Sequence, residues 1–403
     1  MYTRRRAVAA LGTICILAAA TLMTGGTPAV AANAHASSRA VCPAPAIGWA
    51  RCHAVAVTDA NGNVASAALP DGFGPAQFHG AYALPTTAPN AQTIAIVDAY
   101  NDPTAKADLD TFNSTFGLPF FPTCGGAITT ACFRKVNQFG NATPLPRKNA
   151  GWALEISLDV QVAHGICQNC TILLVEAKSA SFGNLSTAVN TAVSLGATVV
   201  SNSYGGSDTS RRAAYNHPGI AITASSGDFG FGVESPASYN SVVAVGGTTL
   251  TLGPGDTYGS ERVWSGAGSG CSALNTARAF QTSTAGWALT GCGSQRGVAD
   301  VAADADPATG AAVYDTTPYQ GRTGWFTVGG TSLSAPLIAA VYALAGNAAS
   351  TSYPASIAYA HTSSLHDVTT GSNGSCGGTT MCKGAVGYDG PTGVGTQNGL
   401  NAF

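Results

Sequence analysis

A serine, two acids four residues apart and an aspartate in a turn are the side chains whose type and spacing could do chemistry here. Ser332 lies in residues 329–336, Gly-Gly-Thr-Ser-Leu-Ser-Ala-Pro, which run into the apolar segment 337–345. That segment is long enough for a buried helix, and Ser332 stands where an N-cap would. Pro336 lacks an N–H, so the first-turn bond to the Ser332 carbonyl cannot form and the turn around the serine is loosened. Glu155 and Asp159 sit in the apolar stretch 151–166 among Trp152, Leu154, Ile156, Leu158, Val160 and Val162. Side chains four apart on a helix lie about 40° from each other, so both carboxylates share one face. Like charges at that spacing repel, and burial makes ionising both costly, so such a pair shares a proton or serves a site. Asp228 follows an apolar run in 221–230, Ala-Ile-Thr-Ala-Ser-Ser-Gly-Asp-Phe-Gly, a strand running into a turn. Each feature has a purely structural alternative: a capped helix, a solvated helix face, and a turn aspartate placed for backbone reasons.

The elements that must position these residues alternate between strand and helix. Residues 92–99, 171–175, 198–201, 220–225 and 242–245 read as short buried strands, and 104–116, 151–166 and 185–195 as helices. Strands buried on both faces and separated by helices predict an α/β domain with a parallel sheet covered by helices on both sides. His164, nine residues from Glu155, points about 180° away on a regular helix and cannot share its site.

Composition bounds the partners. The chain has 403 residues, 45% hydrophobic and 9% charged, with 50 glycines, so small polar residues must cover much of its surface. Arg4, Arg5 and Arg6 precede an apolar run over 7–23, and Ala29-Val30-Ala31 offers a small-residue cleavage site, the pattern of a secretory signal. This divides the chain into a signal (1–31), a short leader or arm (32–71) and one domain (72–403), exported and free of the membrane once the signal is removed. Beyond the signal, fifteen basic residues face twenty acidic ones with no basic run, which disfavours nucleic acid as a partner. Cys15 leaves with the signal. The other ten cysteines fall into neighbouring couples, 42 and 52, 124 and 132, 167 and 170, 271 and 292, 376 and 382, most simply five short-loop disulfides. Zinc or redox chemistry at Cys167-x-x-Cys170 ranks below a structural staple, because no second Cys/His pair stands at ligand spacing.

Glu-x-x-x-Asp at 155 and 159, Gly-Asp-x-Gly at 228 and Gly-Thr-Ser-x-x-x-Pro at 332, in this order, resemble the sedolisin (serine-carboxyl peptidase) family over roughly residue 72 to the C-terminus. The resemblance implies a subtilisin-like fold and a secreted, monomeric endopeptidase acting on proteins or peptides at acid pH. It implies Ser332 as nucleophile, Glu155 as general base, Asp159 hydrogen-bonded to Glu155, and Asp228 as the protonated donor to the oxyanion. A serine hydroxyl is a poor nucleophile until a base takes its proton, and a carboxylate tuned by burial and a partner can do so. It further implies one structural calcium ion held by Asp367 and Asp389 and by the carbonyls of Val368, Ala385 and Gly387, although Ala385-Val386 replaces the usual Gly-Pro. Oxygen-only ligands suit that hard cation. Tyr204 stands where relatives have tryptophan, and the stretch before the domain is shorter than a sedolisin propeptide. Two rival readings remain: a subtilisin-type Asp98/His164/Ser332 peptidase, which lacks the His-Gly-Thr-His motif, and a secreted binding or cell-wall protein that has lost catalysis.

Overall fold

The computed structural model describes residues 1–3, 37–125 and 131–403. The predicted secretory signal lies outside them save for its first three residues, and residues Asn33–Phe403 make up one compact unit. The order of its central strands follows from their composition. Thr93–Ala99, Thr171–Ala177, Val199–Asn202, Ala221–Ser225 and the inner part of Val243–Leu252 are apolar runs with both faces buried, so each needs strands on both edges and helices above and below. They supply the middle of a ten-stranded sheet. Phe133–Asn137, Thr171–Ala177, Thr93–Ala99, Val199–Asn202, Ala221–Ser225, Val243–Leu252 and Val301–Asp304 lie side by side in that order, all parallel. Beyond Val301–Asp304 lie Thr396–Gln397, parallel to it, and then Leu365–His366, antiparallel, and Tyr258–Val263 pairs back antiparallel on Val243–Leu252. The predicted strands are all present, the last extended well past residue 245 because its outer half finds a hairpin partner.

Two helices carry most of the predicted chemistry. Ala150–Ile166, the acid helix, begins where the Asn149 side chain accepts the Trp152 N–H at 3.2 Å. Every residue from Trp152 to Ile166 is buried, so it is a core helix and its two acids have no solvated face. Thr331–Ala345, the serine helix, is buried from Thr331 to Leu344 and ends at Gly346 in the left-handed conformation. It packs against both the acid helix and the central strands.

Ser332 is not the N-cap. That position belongs to Gly330 at φ 92°, which leaves the serine inside the first turn. The first N–H of the helix, on Thr331, is instead satisfied by Asp228 at 2.7 Å, a cap supplied from a distant strand end. The Pro336 effect is present: the Ser332 carbonyl, free of its helical partner, accepts the Ser203 hydroxyl at 3.5 Å.

The arm at 38–57, for which sequence periodicity predicts no element, is woven into the domain. Ser38–Ala40 and Val55–Val57 pair with each other, and Val55–Val57 pairs with Arg322–Gly329, the strand that leads into Ser332. Arg51–Cys52 pairs with Tyr204–Ser207. All five predicted disulfides close: Cys42–Cys52, Cys124–Cys132, Cys167–Cys170, Cys271–Cys292 and Cys376–Cys382.

Candidate active site

The carboxyl ends of neighbouring parallel strands are where an open α/β sheet gathers its chemistry. Here Asp98 ends Thr93–Ala99, Ser203 follows Val199–Asn202, and Asp228 follows Ala221–Ser225. The acid and serine helices bring Glu155, Asp159 and Ser332 to the same place, and all of these side chains are buried. Ser332 donates to the Ser203 carbonyl at 3.2 Å, and its hydroxyl also bears on the Glu155 carboxyl, helping to hold it ionised. Glu155 accepts the Ala54 N–H through Oε2 at 2.8 Å. Asp159 stands close enough to Glu155 for that carboxyl to raise it, and it accepts the Ser203 hydroxyl at 2.9 Å.

Four neighbouring buried carboxyls cannot all ionise. Burial, then the nearby Asp98, pushes Glu155 and Asp159 well above the usual carboxylate range. Burial alone pushes Asp98 up to about 8, since neither of its oxygens has a hydrogen-bond partner. Glu155 differs in that the Ser332 hydroxyl and the Ala54 N–H both pull its carboxyl back down. Asp228 is pushed up to about 6 by burial, with His53 and the Thr331 donors pulling the other way. Its Oδ1 accepts the Thr331 N–H at 2.7 Å and hydroxyl at 2.9 Å, while Oδ2 is buried and unpartnered. A protonated carboxyl there has one oxygen fixed by two donors and an O–H free to donate.

The four predicted catalytic positions thus converge, and Asp98 joins them. His164 does not. It is buried with its ring 4.0 Å from that of Phe121, both nitrogens lack partners, and burial with the Lys106 charge lowers it to about 4. An Asp98/His164/Ser332 triad has no support in this arrangement. Tyr204, the departure from the expected tryptophan, is buried with its hydroxyl 2.7 Å from Asn202 and 3.0 Å from Tyr215. Sequence reasoning missed Ser203, which bonds both helices, and the cluster of Arg51, His53 and Glu234 beside the site. The paired cysteines around Arg51 were the signal that this part of the arm is held in place.

Of the predicted metal residues, Asp367, Ala385, Gly387 and Asp389 come together. The Gly387 N–H donates to Asp367 at 2.9 Å and the Ala385 N–H to Asp389 at 3.0 Å. Asp389 is fully buried, with the Thr392 N–H and hydroxyl at 2.9 Å on its other oxygen. Burial raises it well above the usual range, Asp367 adds to this, and no cationic side chain is among the groups that bear on it. Two neighbouring carboxylates are oxygen donors of the kind a hard cation takes. A separate buried trio, Asp102, Asp108 and Asp315, lies apart from these residues.

Residues 141–384 match the model of the subtilase family, a span that contains Glu155, Asp159, Asp228 and Ser332. The chain is 27% identical to sedolisin of Pseudomonas sp. (strain 101) over 370 residues, covering 81% of this chain and 60% of the relative. It is 31% identical to kumamolisin of Bacillus sp. (strain MN-32) over 289 residues, covering 61% of this chain and 49% of the relative. It therefore spans about half to three fifths of the length of these curated relatives. The solved structure of Pseudomonas sedolisin, a serine-carboxyl proteinase complexed with two molecules of pseudo-iodotyrostatin, superposes with a TM-score of 0.64 at 25% identity, over 82% of this chain and 96% of that one. With a mainly parallel sheet of the same design and a family match across most of its length, the chain belongs to the subtilase family, on its sedolisin branch.

Proposed function

We propose that the chain is a secreted serine-carboxyl endopeptidase, with residues 72–403 as the peptidase domain, hydrolysing peptide bonds of proteins under acidic conditions. The observation that carries this reading is the buried, unpartnered Oδ2 of Asp228 at the start of the helix that bears Ser332, opposite Glu155 and Asp159. Glu155 takes the Ser332 proton as the oxygen attacks the substrate carbonyl. Asp159 orients Glu155 and shares its charge. The carbonyl oxygen becomes an oxyanion that needs a donor, and Asp228 supplies one only when protonated. Glu155 then passes its proton to the leaving amine, and water, activated by the same carboxylate, releases the acid product. One carboxyl must be neutral while another is charged, which confines activity to an acidic range.

Calcium, held by Asp367, Asp389 and the carbonyls of Val368, Ala385 and Gly387, would supply positive charge that ties the C-terminal loops together. Export is supported by the signal pattern and the five disulfides. Among the described residues no helix is long and apolar enough to cross a membrane. We take the protein to act as a monomer on protein or peptide substrates, without nucleic acid. The test is cleavage of denatured protein at acid pH by the purified chain beside its Ser332→Ala variant. Cleavage by the first alone supports the reading; none by either leaves a secreted binding protein on a peptidase fold.

A further inference from the structure

Three buried aspartates that the peptidase chemistry does not use meet beside the acid helix. Asp102 precedes the helix Ala105–Phe116, Asp108 lies in its first turn, and Asp315 is on the strand Ala311–Tyr319. Each is at most 1% exposed, and one carboxyl oxygen from each lies within 4.8 Å of the others. Separate local bonds bring them there. Asp102 turns back on the Thr104 N–H at 3.0 Å, and Ser157 of the acid helix donates to its other oxygen at 3.1 Å. The Thr316 N–H and hydroxyl reach Asp108 at 3.0 and 2.7 Å, which fastens the helix to the strand. On that strand, Gln161 of the acid helix accepts the Tyr314 N–H at 2.9 Å and donates to its carbonyl at 2.7 Å, and the pairing with Arg322–Gly329 shifts register just after Asp315.

These bonds leave one oxygen unsatisfied. Asp315 is wholly buried: its Oδ1 takes the Thr317 N–H at 2.7 Å, while Oδ2 has no hydrogen-bond partner. The charges that bear on this carboxyl are those of Asp102 and Asp108, with no cation among them. A buried carboxyl oxygen without a donor, beside two further acids, is stabilised only by a proton or a cation. Lys135 pulls on Asp102 but is committed around it: its Nζ lies 2.6 Å from the Asp102 carbonyl, 3.0 Å from the Asn101 side-chain oxygen and 3.7 Å from Glu176, a fourth buried acid that accepts the Asp102 N–H at 3.0 Å. One lysine thus faces four carboxyls. The donors at the trio are all oxygen, which suits a hard cation. Three oxygens no more than 4.8 Å apart have a central point within about 2.8 Å of each, so calcium, with ligands at about 2.3–2.6 Å, is reached by small shifts. Magnesium keeps several waters in a near-octahedral shell and suits so enclosed a place less.

We propose that Asp102, Asp108 and Asp315 form a calcium site, distinct from the one read at Asp367 and Asp389, that ties the start of the helix Ala105–Phe116 and the strand Ala311–Tyr319 to the acid helix. The ion neutralises the trio and takes up the free Oδ2 of Asp315. Through Ser157 and Gln161 it braces the helix that carries Glu155 and Asp159, and through the hairpin partner Arg322–Gly329 it braces the approach to Ser332. Ion and protons compete for the same oxygens, so the site fills toward neutral pH and empties toward acid.

The purified full chain is stripped with a chelator, equilibrated with calcium at neutral pH and freed of unbound ion; bound calcium is then counted by elemental analysis, and thermal unfolding is followed with and without the ion. Asp389→Asn silences the C-terminal site. It should keep one calcium per chain and a melting temperature that calcium raises, with an affinity that weakens about tenfold per pH unit for each proton the ion displaces. Adding Asp315→Asn, which keeps the side chain's shape and removes its charge, should abolish both the ion and the rise. Should Asp389→Asn fail to fold, Asp315→Asn alone gives the same answer by holding one ion fewer than the wild type. A folded Asp389→Asn that binds no calcium, or a calcium that Asp315→Asn leaves in place, would show that the trio is held by protons and overturn the proposal. Neither readout involves peptide-bond cleavage, so the peptidase reading stands or falls separately.

Discussion

Replacing Asp228 by asparagine isolates the group on which the acid mechanism turns. Oδ1 is fixed by the Thr331 N–H at 2.7 Å and hydroxyl at 2.9 Å, and Oδ2 is free. An asparagine keeps its carbonyl on the Thr331 donors and places an amide N–H where the carboxyl O–H would point, so a donor remains that does not titrate. In the wild type, burial sets the Asp228 carboxyl at about 6. Below that pH it is protonated and donates; above it the charge repels the oxyanion, and the competent fraction falls about tenfold per pH unit. The alkaline limb of kcat should therefore descend through about pH 6 in the wild type and be much flatter in Asp228→Asn. Asp228→Ala removes the donor altogether, a loss of about 100- to 1000-fold in kcat. It also strands the Thr331 N–H, at a cost of about 1–3 kcal/mol of stability. The assay is hydrolysis of an internally quenched peptide over a pH series, with thermal unfolding of each variant alongside. Superimposable alkaline limbs in the wild type and Asp228→Asn, or near-normal rates in Asp228→Ala, would refute the reasoning.

Asp98 offers a test through stability. The folded protein keeps its proton up to about pH 8 while an unfolded aspartate releases it near 3.8, so wild-type stability falls as pH rises through that window, by at most about 1.4 kcal/mol per unit. Asp98→Asn escapes this loss, so its melting temperature should gain on the wild type toward neutral pH and converge in acid; a gap that does not change with pH would remove the argument. Glu155→Gln and Asp159→Asn should each lose most activity, because a serine without its base keeps only residual catalysis, and full activity in Glu155→Gln would require another base. A chelator should lower the melting temperature of the wild type, since an ion at about 100 times its Kd stabilises by about 2.7 kcal/mol. Asp389→Asn should respond less, and equal shifts in both would move that ion elsewhere. Thiol titration of the exported, unfolded but unreduced protein should find none, and two or more free thiols would break the framework of five couples.

Much of this molecule was written locally. Apolar runs of strand length and a largely apolar helix define the layers, because burial on both faces of a strand leaves little room for polar alternation. The face shared by Glu155 and Asp159 follows from helical geometry alone, and the cysteine couples close because short loops bring their ends together at little entropic cost. What periodicity could not reveal are contacts between distant parts of the chain. Asp228 caps the serine helix from 103 residues away, and the Ala54 N–H reaches Glu155 across 101. The arm looked featureless because its strands are two or three residues long and owe their existence to partners far along the chain. Likewise the raised carboxyls of Asp98 and Asp228 come from the exclusion of water by packed neighbours, which no single stretch of sequence contains. The residues capable of chemistry were legible one by one; how they meet, and with what charge, was decided only when the sheet, the two helices and the arm closed around them.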